Sequence, residues 1–454
     1  MADISIVNST TIDQPTGAEV GKPLAAFPVG PLMIAAVLEE QGYDVEFMDY
    51  QTYGVPRKPS VESFLTYLER VSAPIIGIGV ISSSLPTVLA ALVKYRATHP
   101  GKLVILGGPA ASDTAREIVE KFPVDIVVRG EGEITIQELM RAIEDGADFA
   151  SVAGITYRSN GGVLENPDRE RILDLETLPL PAYHKINLAD YGRRATIMSA
   201  RGCPYQCTFC TSRAIWGHRV VYRDVKSIAN ELSAIKEHVD SVDFADDTLV
   251  LSQSRVFSLL DALKEAGVGL RWRCNGRVDH MTDELLKRMA DDGCEQMLLG
   301  LESGSNRVLE RIKKKFTVEQ ALATYKKTSQ YVSLDVSFIW GFPFETMSDF
   351  HETLMALADV SRIPGAALHG HLLCAFRGSA LYEEFGDLIR FSDDFYPTQR
   401  AFLPTDRLSN YPELVELIKA HPRLFASYYY YDHPELAQKR ELIDRIWPAG
   451  KEGR

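Results

Sequence analysis

Three cysteines stand close together near the middle of the chain. Cys203, Cys207 and Cys210 are spaced Cys-x3-Cys-x2-Cys and make up half of the six cysteines in 454 residues. Three thiolates on one short loop can hold three corners of an iron–sulfur cube, which usually has four cysteine ligands. One iron would then keep an open coordination position, and open positions are where metal centres do chemistry. The alternatives are a structural zinc site completed by a distant ligand and chance clustering.

The cysteine loop resembles the cluster motif of the radical S-adenosylmethionine (SAM) enzymes, Cys-x3-Cys-x-aromatic-Cys, with Phe209 at the aromatic position. The resemblance implies a 4Fe–4S cluster on Cys203, Cys207 and Cys210, with the amino and carboxylate groups of SAM on the fourth iron. An electron from the cluster would cleave SAM to a 5′-deoxyadenosyl radical that abstracts hydrogen from the substrate. It also implies an external electron donor of the flavodoxin or ferredoxin type.

Strands alternating with helices surround this loop. The apolar run 195–198 predicts a strand just before the cysteines, and five further strands are predicted at 241–245, 270–274, 296–301, 332–340 and 366–374. Predicted helices lie between them, and the one from Thr317 begins with a capping box that includes Gln320. Six strand–helix units favour an open, partial (β/α)6 barrel over 191–380, fewer than the eight of a closed barrel. Radical SAM enzymes are known for this architecture.

Polar residues at the carboxyl ends of these strands are candidates for binding SAM, because barrel chemistry occurs at that edge. Glu302 and Ser303 resemble the fourth-strand segment that contacts SAM in the family. Gly341 and Glu345 match its fifth-strand Gly-x-Ile-x-Gly-x-x-x-Glu pattern, in which a serine here replaces the first glycine. Asp246 is a strand-end candidate of the same kind, together with Asp247 and Arg277. The structural alternative for each is a helix cap or a strand-end ion pair.

Residues 1–150 also alternate between strand and helix patterns. Apolar runs predict strands at 4–7, 45–48, 75–80, 103–106 and 124–128, and helical patterns occupy 31–41, 85–98, 113–121 and 134–143. Such alternation is typical of a parallel sheet covered on both faces. Five strands indicate a doubly wound, flavodoxin-like (Rossmann-like) domain that binds ligands at the carboxyl ends of its strands.

Small and polar residues follow three of these strands and predict a cofactor site at that edge: Ser83, Ser84, Gly107, Gly108, Gly130 and Glu131. Together with the segments around Pro28 and Asp49, they resemble the cobalamin-binding domain that precedes many radical SAM domains. The Asp-x-His-x-x-Gly motif that supplies an axial histidine to cobalt is missing, and His99 stands in a different context. We therefore expect no cobalt-ligating histidine from this domain. A degenerate domain that binds no cobalamin is the alternative.

The two remaining segments carry weaker patterns. Residues 151–190 combine a predicted hairpin with an Asn160–Gly161 turn and a proline-containing linker. Residues 381–454 predict a small, mainly helical segment that caps the barrel mouth. His369 and His371 share one face of the last strand, where they would line the cavity or pack in the core.

Bulk properties restrict the partners. The net charge of −13 disfavours binding along a phosphate backbone, so a small molecule or a peptide is the expected substrate and nucleic acid is not. Apolar runs stay short of the roughly 18–20 residues of a membrane span, and the first residues lack a signal-peptide pattern. These features, and thiolates that must stay reduced, indicate a cytoplasmic protein.

The leading hypothesis is a cobalamin-dependent radical SAM enzyme that transfers a methyl group to an unactivated carbon, with no catalytic residue assigned. A cyclase, oxidase or rearrangement enzyme with the same cofactors is the nearest alternative. A methylthio-transferring RNA-modifying enzyme would need a second cluster in the N-terminal domain, yet residues 1–150 contain no cysteine. A zinc-stabilised binding module is the non-enzymatic alternative.

Overall fold

The computed structural model describes residues 2–9, 26–53, 60–392, 408 and 411–446. These residues form two compact units. The N-terminal unit contains the described residues of Met1–Gly192 and Arg400–Phe425, and the barrel unit contains those of Arg193–Gln399 and Ala426–Arg454.

The N-terminal unit is built on a seven-stranded sheet of order β2-β1-β3-β4-β5-β6-β7. Its strands are β1 (Ile4–Asn8), β2 (Val45–Asp49), β3 (Ile75–Gly79), β4 (Leu103–Gly107), β5 (Ile126–Val128), β6 (Ile155–Ser159) and β7 (Gly162–Glu165). The helices that follow them along the chain are α1 (Val29–Glu40), α2 (Val61–Leu68), α3 (Leu85–Thr98), α4 (Pro109–Ser112), α5 (Ala115–Lys121) and α6 (Gly132–Glu144).

The first five strands run parallel in the flavodoxin order 2-1-3-4-5, as predicted. Strand β1 is buried along its whole length because helices cover both faces of the sheet. The predicted helix over 113–121 starts later, at Ala115, after the separate turn α4. Helix α2 was not predicted.

The predicted hairpin is present, with Asn160 and Gly161 between β6 and β7. Strand β6 pairs antiparallel with β5, so the hairpin extends the edge of the N-terminal sheet. The segment predicted as a hairpin and linker therefore packs as part of this unit as far as Gly192.

The barrel unit contains a six-stranded parallel sheet of order β15-β14-β13-β12-β11-β8, which confirms the partial barrel. Its strands are β8 (Arg194–Ile197), β11 (Ser241–Phe244), β12 (Arg271–Gly276), β13 (Cys294–Glu302), β14 (Ser333–Trp340) and β15 (Ala366–Leu372), and the short strands β9 (Ala200–Arg201) and β10 (Val221–Tyr222) pair with each other. The helices up to the last strand are α7 (Ser212–Trp216), α8 (Val225–Ile235), α9 (Gln253–Glu265), α10 (Asp283–Asp291), α11 (Asn306–Arg311), α12 (Val318–Thr328) and α13 (Met347–Ser361).

Local sequence explains where these helices begin. Thr317 and Gln320 form the predicted capping box at the start of α12. Thr346 and Asp349 form a second one at the start of α13, after the turn that follows β14. These caps fix the points at which the chain leaves the barrel edge that carries the candidate site.

The last part of the chain is divided between the two units. Helix α14 (Ala380–Phe385), the paired strands β16 (Ile389–Phe391) and β17 (Tyr429–Tyr431), and helix α16 (Leu436–Ile446) belong to the barrel unit. Helix α15 (Pro412–Ala420) belongs to the N-terminal unit, where Glu413 pairs with Lys94 of α3 at 3.1 Å. The described helices include none that is both long and apolar enough to cross a membrane.

Candidate functional site

The three cysteines lie on the loop between β9 and α7, at the carboxyl edge of the barrel sheet. All three are free thiols, Cys203 and Cys207 half-buried and Cys210 exposed. The backbone N–H of Ser212, the first residue of α7, donates to Cys210 Sγ at 3.4 Å. Burial raises the pKa of the Cys203 thiol, so a metal must displace its proton to bind there.

Asp246 anchors the start of this loop. Its carboxylate accepts the N–H groups of Ser199 at 2.7 Å and Ala200 at 3.1 Å, and also the Ser199 hydroxyl. Burial raises the pKa of Asp246 to about 6, and the hydrogen bonds from Ser199 and Ala200 oppose that rise. The neighbouring Asp247 accepts the Ser212 hydroxyl at 2.6 Å, beyond the last cysteine. Both carboxylates thus hold the two ends of the cysteine loop.

Arg277 approaches the loop from the end of β12. Its Nη1 lies 3.8 Å from Cys207 Sγ, and its guanidinium carbon lies 3.5 Å from the ring centre of Tyr205. Asp279 pairs with the guanidinium at 3.1 Å, and the main-chain oxygen of Lys314 accepts from it at 2.6 Å. A buried cation is therefore fixed beside one of the candidate cluster ligands.

The donor set fits a cube with three protein thiolates. Cys274, Cys294 and Cys374 are buried, in contrast to the three cysteines of the loop. Within the described residues, no three His, Cys, Asp or Glu side chains are arranged to hold a single ion. Thiolates of a cluster bind different irons, so they are spread wider than the ligands of one zinc ion.

Glu302 lies at the carboxyl end of β13 and is held on both oxygens. Lys314 Nζ donates to its Oε1 at 3.0 Å, and the Ser337 hydroxyl of the adjacent strand β14 donates to its Oε2 at 3.3 Å. Its backbone has a φ of 72°, and the pairing of β13 with β14 shifts register between Gly300 and Glu302. A Cβ on Gly300 would lie 2.1 Å from Glu302 Oε1, so only glycine allows the carboxylate to fold back over the strand.

Ser303 and Phe209 both contact neighbouring elements of the barrel unit. The Ser303 hydroxyl is fully buried, 3.2 Å from the Thr353 hydroxyl of α13, and accepts the Ser305 N–H. The Phe209 ring packs edge-on to Phe342, with ring centres 6.2 Å apart. Phe209 thereby links the cysteine loop to the turn that follows β14.

The turn after β14 contains Gly341 and Glu345. Gly341 has a φ of 84° and donates its N–H to Glu345 Oε2 at 3.0 Å. Glu345 also pairs with Lys439 of α16 at 3.1 Å, and both side chains are 0% exposed. Burial raises the pKa of Glu345, and Lys439 and the Gly341 N–H oppose that rise. Removing one partner of such a buried pair typically costs about 3–5 kcal/mol.

The two histidines of β15 differ in their surroundings. His369 Nε2 lies 3.1 Å from Asp335 Oδ1 of β14, so His369 belongs to a buried polar contact between strands. His371 is half-buried, and burial lowers its pKa while the charge of Glu302 opposes the shift. The opposing effect of Glu302 on this pKa indicates that His371 lies near the Glu302 carboxylate.

In the N-terminal unit, the predicted residues meet at one edge, because β3, β4 and β5 are neighbours in the sheet. Ser83 and Ser84 follow β3, Gly107 ends β4, and Gly108 precedes α4; the remaining pair, Gly130 and Glu131, lies between β5 and α6. Small residues at the carboxyl edge of a parallel sheet suit the close approach of a large cofactor.

Ser84 and Glu131 make polar contacts with other parts of the N-terminal unit. The Ser84 hydroxyl lies 2.9 Å from that of Ser9, and Glu131 Oε2 accepts the Ile172 N–H at 2.8 Å. His99 follows the C-terminal end of α3 and stacks on Tyr95, at the opposite edge of the sheet from these loops. His99 therefore lies away from the edge that carries the predicted cofactor-binding residues.

Sequence reasoning missed Lys314 and Lys439, and it did not foresee the contact between Arg277 and Cys207. Lys439 stands three residues from Leu436 and from Leu442, on the apolar face of α16, and a lysine at such a position is a signal of a buried partner. Lys314 lies within the run Lys313–Lys315, where the sequence does not distinguish the buried lysine from its exposed neighbours.

Two family models match the chain. The radical SAM superfamily model matches residues 197–357, which include the cysteine loop, Glu302 and Glu345. The B12 binding domain model matches residues 23–140, which include the small residues at the N-terminal sheet edge.

Two curated relatives represent different activities. An uncharacterized methyltransferase of Pyrococcus horikoshii is 28% identical over 335 residues, 72% of each chain. An anaerobic magnesium-protoporphyrin IX monomethyl ester cyclase of Rubrivivax gelatinosus is 27% identical over 385 residues, 81% of this chain and 67% of the cyclase.

Among solved structures, the radical SAM methyltransferase TsrM of Kitasatospora setae, with tryptophan substrate and a SAM analogue bound, has a TM-score of 0.72. The match covers 99% of this chain and 89% of TsrM at 17% sequence identity. At this identity the likeness establishes the shared fold.

Proposed function

We propose that this chain, a radical SAM protein with a B12-binding domain, is a methyltransferase. It transfers a methyl group to an unactivated carbon of a small molecule or peptide. Its cofactors are a 4Fe–4S cluster, SAM and cobalamin. Together they supply one-electron cleavage of SAM to a 5′-deoxyadenosyl radical and a transferable methyl group.

The observation that carries the proposal is the separation of the cysteines into two sets. The three on the loop are half-buried or exposed, while Cys274, Cys294 and Cys374 are buried. We therefore assign Cys203, Cys207 and Cys210 as the protein ligands of the cluster. With three thiolates, one iron remains for the amino and carboxylate groups of SAM.

The protein's part is to position reactants and exclude water. We assign Glu302, Ser303, Gly341 and Glu345 to the SAM site because they lie at the same barrel edge as the cysteine loop. Asp246 acts from further back, since its carboxylate is engaged by Ser199 and Ala200.

We assign the N-terminal unit to cobalamin, with the cofactor at the edge that carries Ser83, Ser84, Gly107, Gly108, Gly130 and Glu131. The cobalamin-binding domain is proposed to span residues 1–150, followed by the hairpin and linker of 151–190, and the described residues of both segments lie in the N-terminal unit.

The external reductant is proposed to be an acidic flavodoxin- or ferredoxin-type protein. Thr208, between the second and third cysteines, donates its N–H to Ile312 O at 3.2 Å, so the following lysine run lies beside the cysteine loop. Lys313 and Lys315 are exposed and have φ values of 62° and 61°. Two exposed cations beside the loop complement an acidic donor in a chain of net charge −13. The cytoplasmic setting, inferred from thiolates that must stay reduced, also belongs to this proposal.

The test uses protein purified without oxygen from cells supplied with cobalamin. Iron, sulfide and cobalt are measured together, and the protein is then incubated with a metabolite extract, a reductant and SAM whose methyl group carries deuterium. A product that gains a deuterated methyl group supports the proposal. Colourless protein with stoichiometric zinc, or protein that retains no cobalt, would contradict it.

Ring formation or oxidation by the same cofactors is the second candidate, favoured by the match to the cyclase of Rubrivivax gelatinosus. The same experiment separates the two reactions. A product that loses two hydrogens and gains no deuterium would identify an oxidative cyclisation.

A further inference from the structure

Helix α16 is joined to the turn after β14 by a buried ion pair. Lys439 Nζ lies 3.1 Å from Glu345 Oε2 and also donates to the main-chain oxygen of Glu345. The same Glu345 Oε2 accepts the Gly341 N–H at 3.0 Å. One carboxylate oxygen therefore connects the last described helix to the first residue of the turn.

Apolar packing supports this connection. Trp340, Phe350, Leu372 and Leu436 form one buried cluster. A Cβ on Gly341 would lie 2.4 Å from Leu372 Cδ1 and 3.3 Å from Leu436 Cδ1, so the turn is in close contact with α16.

A second polar contact joins α16 to the helix after the turn. Glu435, just before α16, accepts the N–H of Met347, the first residue of α13, at 2.9 Å. The turn is thus held from α16 at both of its ends.

Stability alone is a poor explanation for the ion pair. Both side chains are 0% exposed, and a buried pair commonly gives no more stability than apolar residues of the same size. Glu345 Oε1 is buried and has no hydrogen-bond partner among the described residues, so the pair leaves one acceptor unsatisfied. Lys439 instead fixes the orientation of Glu345, because its Nζ contacts both the carboxylate and the main-chain oxygen of that residue.

We infer that Lys439 is a positioning residue for SAM. It holds Glu345, and through it the Gly341 amide, in the arrangement that receives SAM, so that SAM binds tightly only while α16 is docked. The inference rests on the proposed function, which assigns this turn to the SAM site.

The test compares Lys439→Met with Arg445→Met in cluster-reconstituted protein. Arg445 lies on the same helix and forms an exposed pair with Glu441, so its removal is a matched loss of one cation. We expect the SAM dissociation constant to rise about tenfold in Lys439→Met, with kcat for SAM cleavage at saturating SAM changed less than about twofold. Arg445→Met should match the wild type in both.

A second variant controls for the possibility that Lys439→Met fails to fold. Lys439→Met with Glu345→Gln removes both buried charges, so no unpaired charge remains in the core. Hydrogen exchange of peptides covering 341–347 should be faster in this variant, and in Lys439→Met, than in Arg445→Met. Exchange in peptides covering 203–210 should be unchanged.

The outcomes separate the inference from the function on which it rests. Unchanged SAM affinity in Lys439→Met, with unchanged exchange at 341–347, would overturn the positioning role while wild-type protein still binds SAM. Wild-type protein that binds no SAM would overturn the proposed function, and the exchange data would still report whether Lys439 holds the turn.

Discussion

Arg277 Nη1 lies 3.8 Å from Cys207 Sγ, and Tyr205 and Asp279 hold the guanidinium in that position. A fixed cation next to a thiolate stabilises added negative charge, and reduction of the cluster adds one electron. Asp279 offsets part of this effect because it pairs with the same guanidinium. The pair of residues therefore links the barrel strand β12 to the redox property of the cysteine loop.

We predict that Arg277→Met makes the reduction potential of the cluster more negative by about 60 mV, the equivalent of about 1.4 kcal/mol for one electron. The reduction potential of Arg277→Lys should stay close to that of the wild type, because lysine keeps the positive charge. The measurement is a redox titration followed by electron paramagnetic resonance. A potential that stays the same or rises in Arg277→Met would show that the cation does not tune the cluster.

Gly300 tests the arrangement of Glu302. Alanine at position 300 would place a Cβ 2.1 Å from Glu302 Oε1, and that oxygen is not free to move because Lys314 binds it. We predict that Gly300→Ala raises the KM for SAM about tenfold or more. Gly269→Ala is the control, since a Cβ there would meet no atom within 4 Å. Equal KM values for the two variants would remove Glu302 from the SAM site.

The proposed donor surface predicts a charge effect. In the double variant Lys313→Glu and Lys315→Glu, we expect the KM for an acidic flavodoxin to rise about tenfold, and the salt dependence of the reaction to become weaker. Reduction by dithionite, a small reagent, should be unchanged. Lys287→Glu, in an exposed ion pair with Asp291 on α10, is the control. If the double variant and the control behaved alike, the donor would dock elsewhere.

The pKa of Asp246 predicts a pH dependence of stability. The folded-state pKa of about 6 lies above the value of about 3.8 for an unfolded chain, so the folded protein binds the proton more tightly. The contribution of Asp246 is therefore most favourable at low pH and falls as the pH rises from about 4 to 6. Asn at this position does not titrate.

We accordingly expect the free energy of unfolding of the wild type, relative to Asp246→Asn, to increase by about 1 kcal/mol between pH 7 and pH 5. Urea unfolding of both proteins at the two pH values, with the same cluster content, measures the difference. A difference that does not change, or that changes in the opposite direction, would mean that the pKa is not raised in the folded protein.

Much of the fold follows from local pattern. The predicted helix over 85–98 coincides with α3, and the predicted capping box of Thr317 and Gln320 is present. Apolar strands separated by helices were enough to predict two parallel sheets. Short or interrupted helices were harder to predict. Helix α2 spans only eight residues, and the chain between β4 and β5 forms two helices, α4 and α5, where one was predicted.

The remaining features depend on distant contacts. Nothing in the Asn160–Gly161 hairpin indicates that β6 pairs with β5, and helices α15 and α16, adjacent in sequence, belong to different units. The partners of Glu302 and Glu345 were also unpredicted, because the burial of Lys439, 94 residues from Glu345, is decided by tertiary packing. Residue type and strand-end position identified the carboxylates, while the folded chain identified their cations.

The proposed chemistry depends most on the three loop cysteines and on the iron that would have no protein ligand. The most direct measurement is the formation of 5′-deoxyadenosine from SAM by reduced, anaerobically reconstituted protein, comparing the wild type with Cys207→Ala and with Cys374→Ala, a buried cysteine outside the loop. We expect the wild type and Cys374→Ala to form 5′-deoxyadenosine and Cys207→Ala to form none above background. Retention of this activity in Cys207→Ala would show that the loop cysteines do not hold the cluster that cleaves SAM.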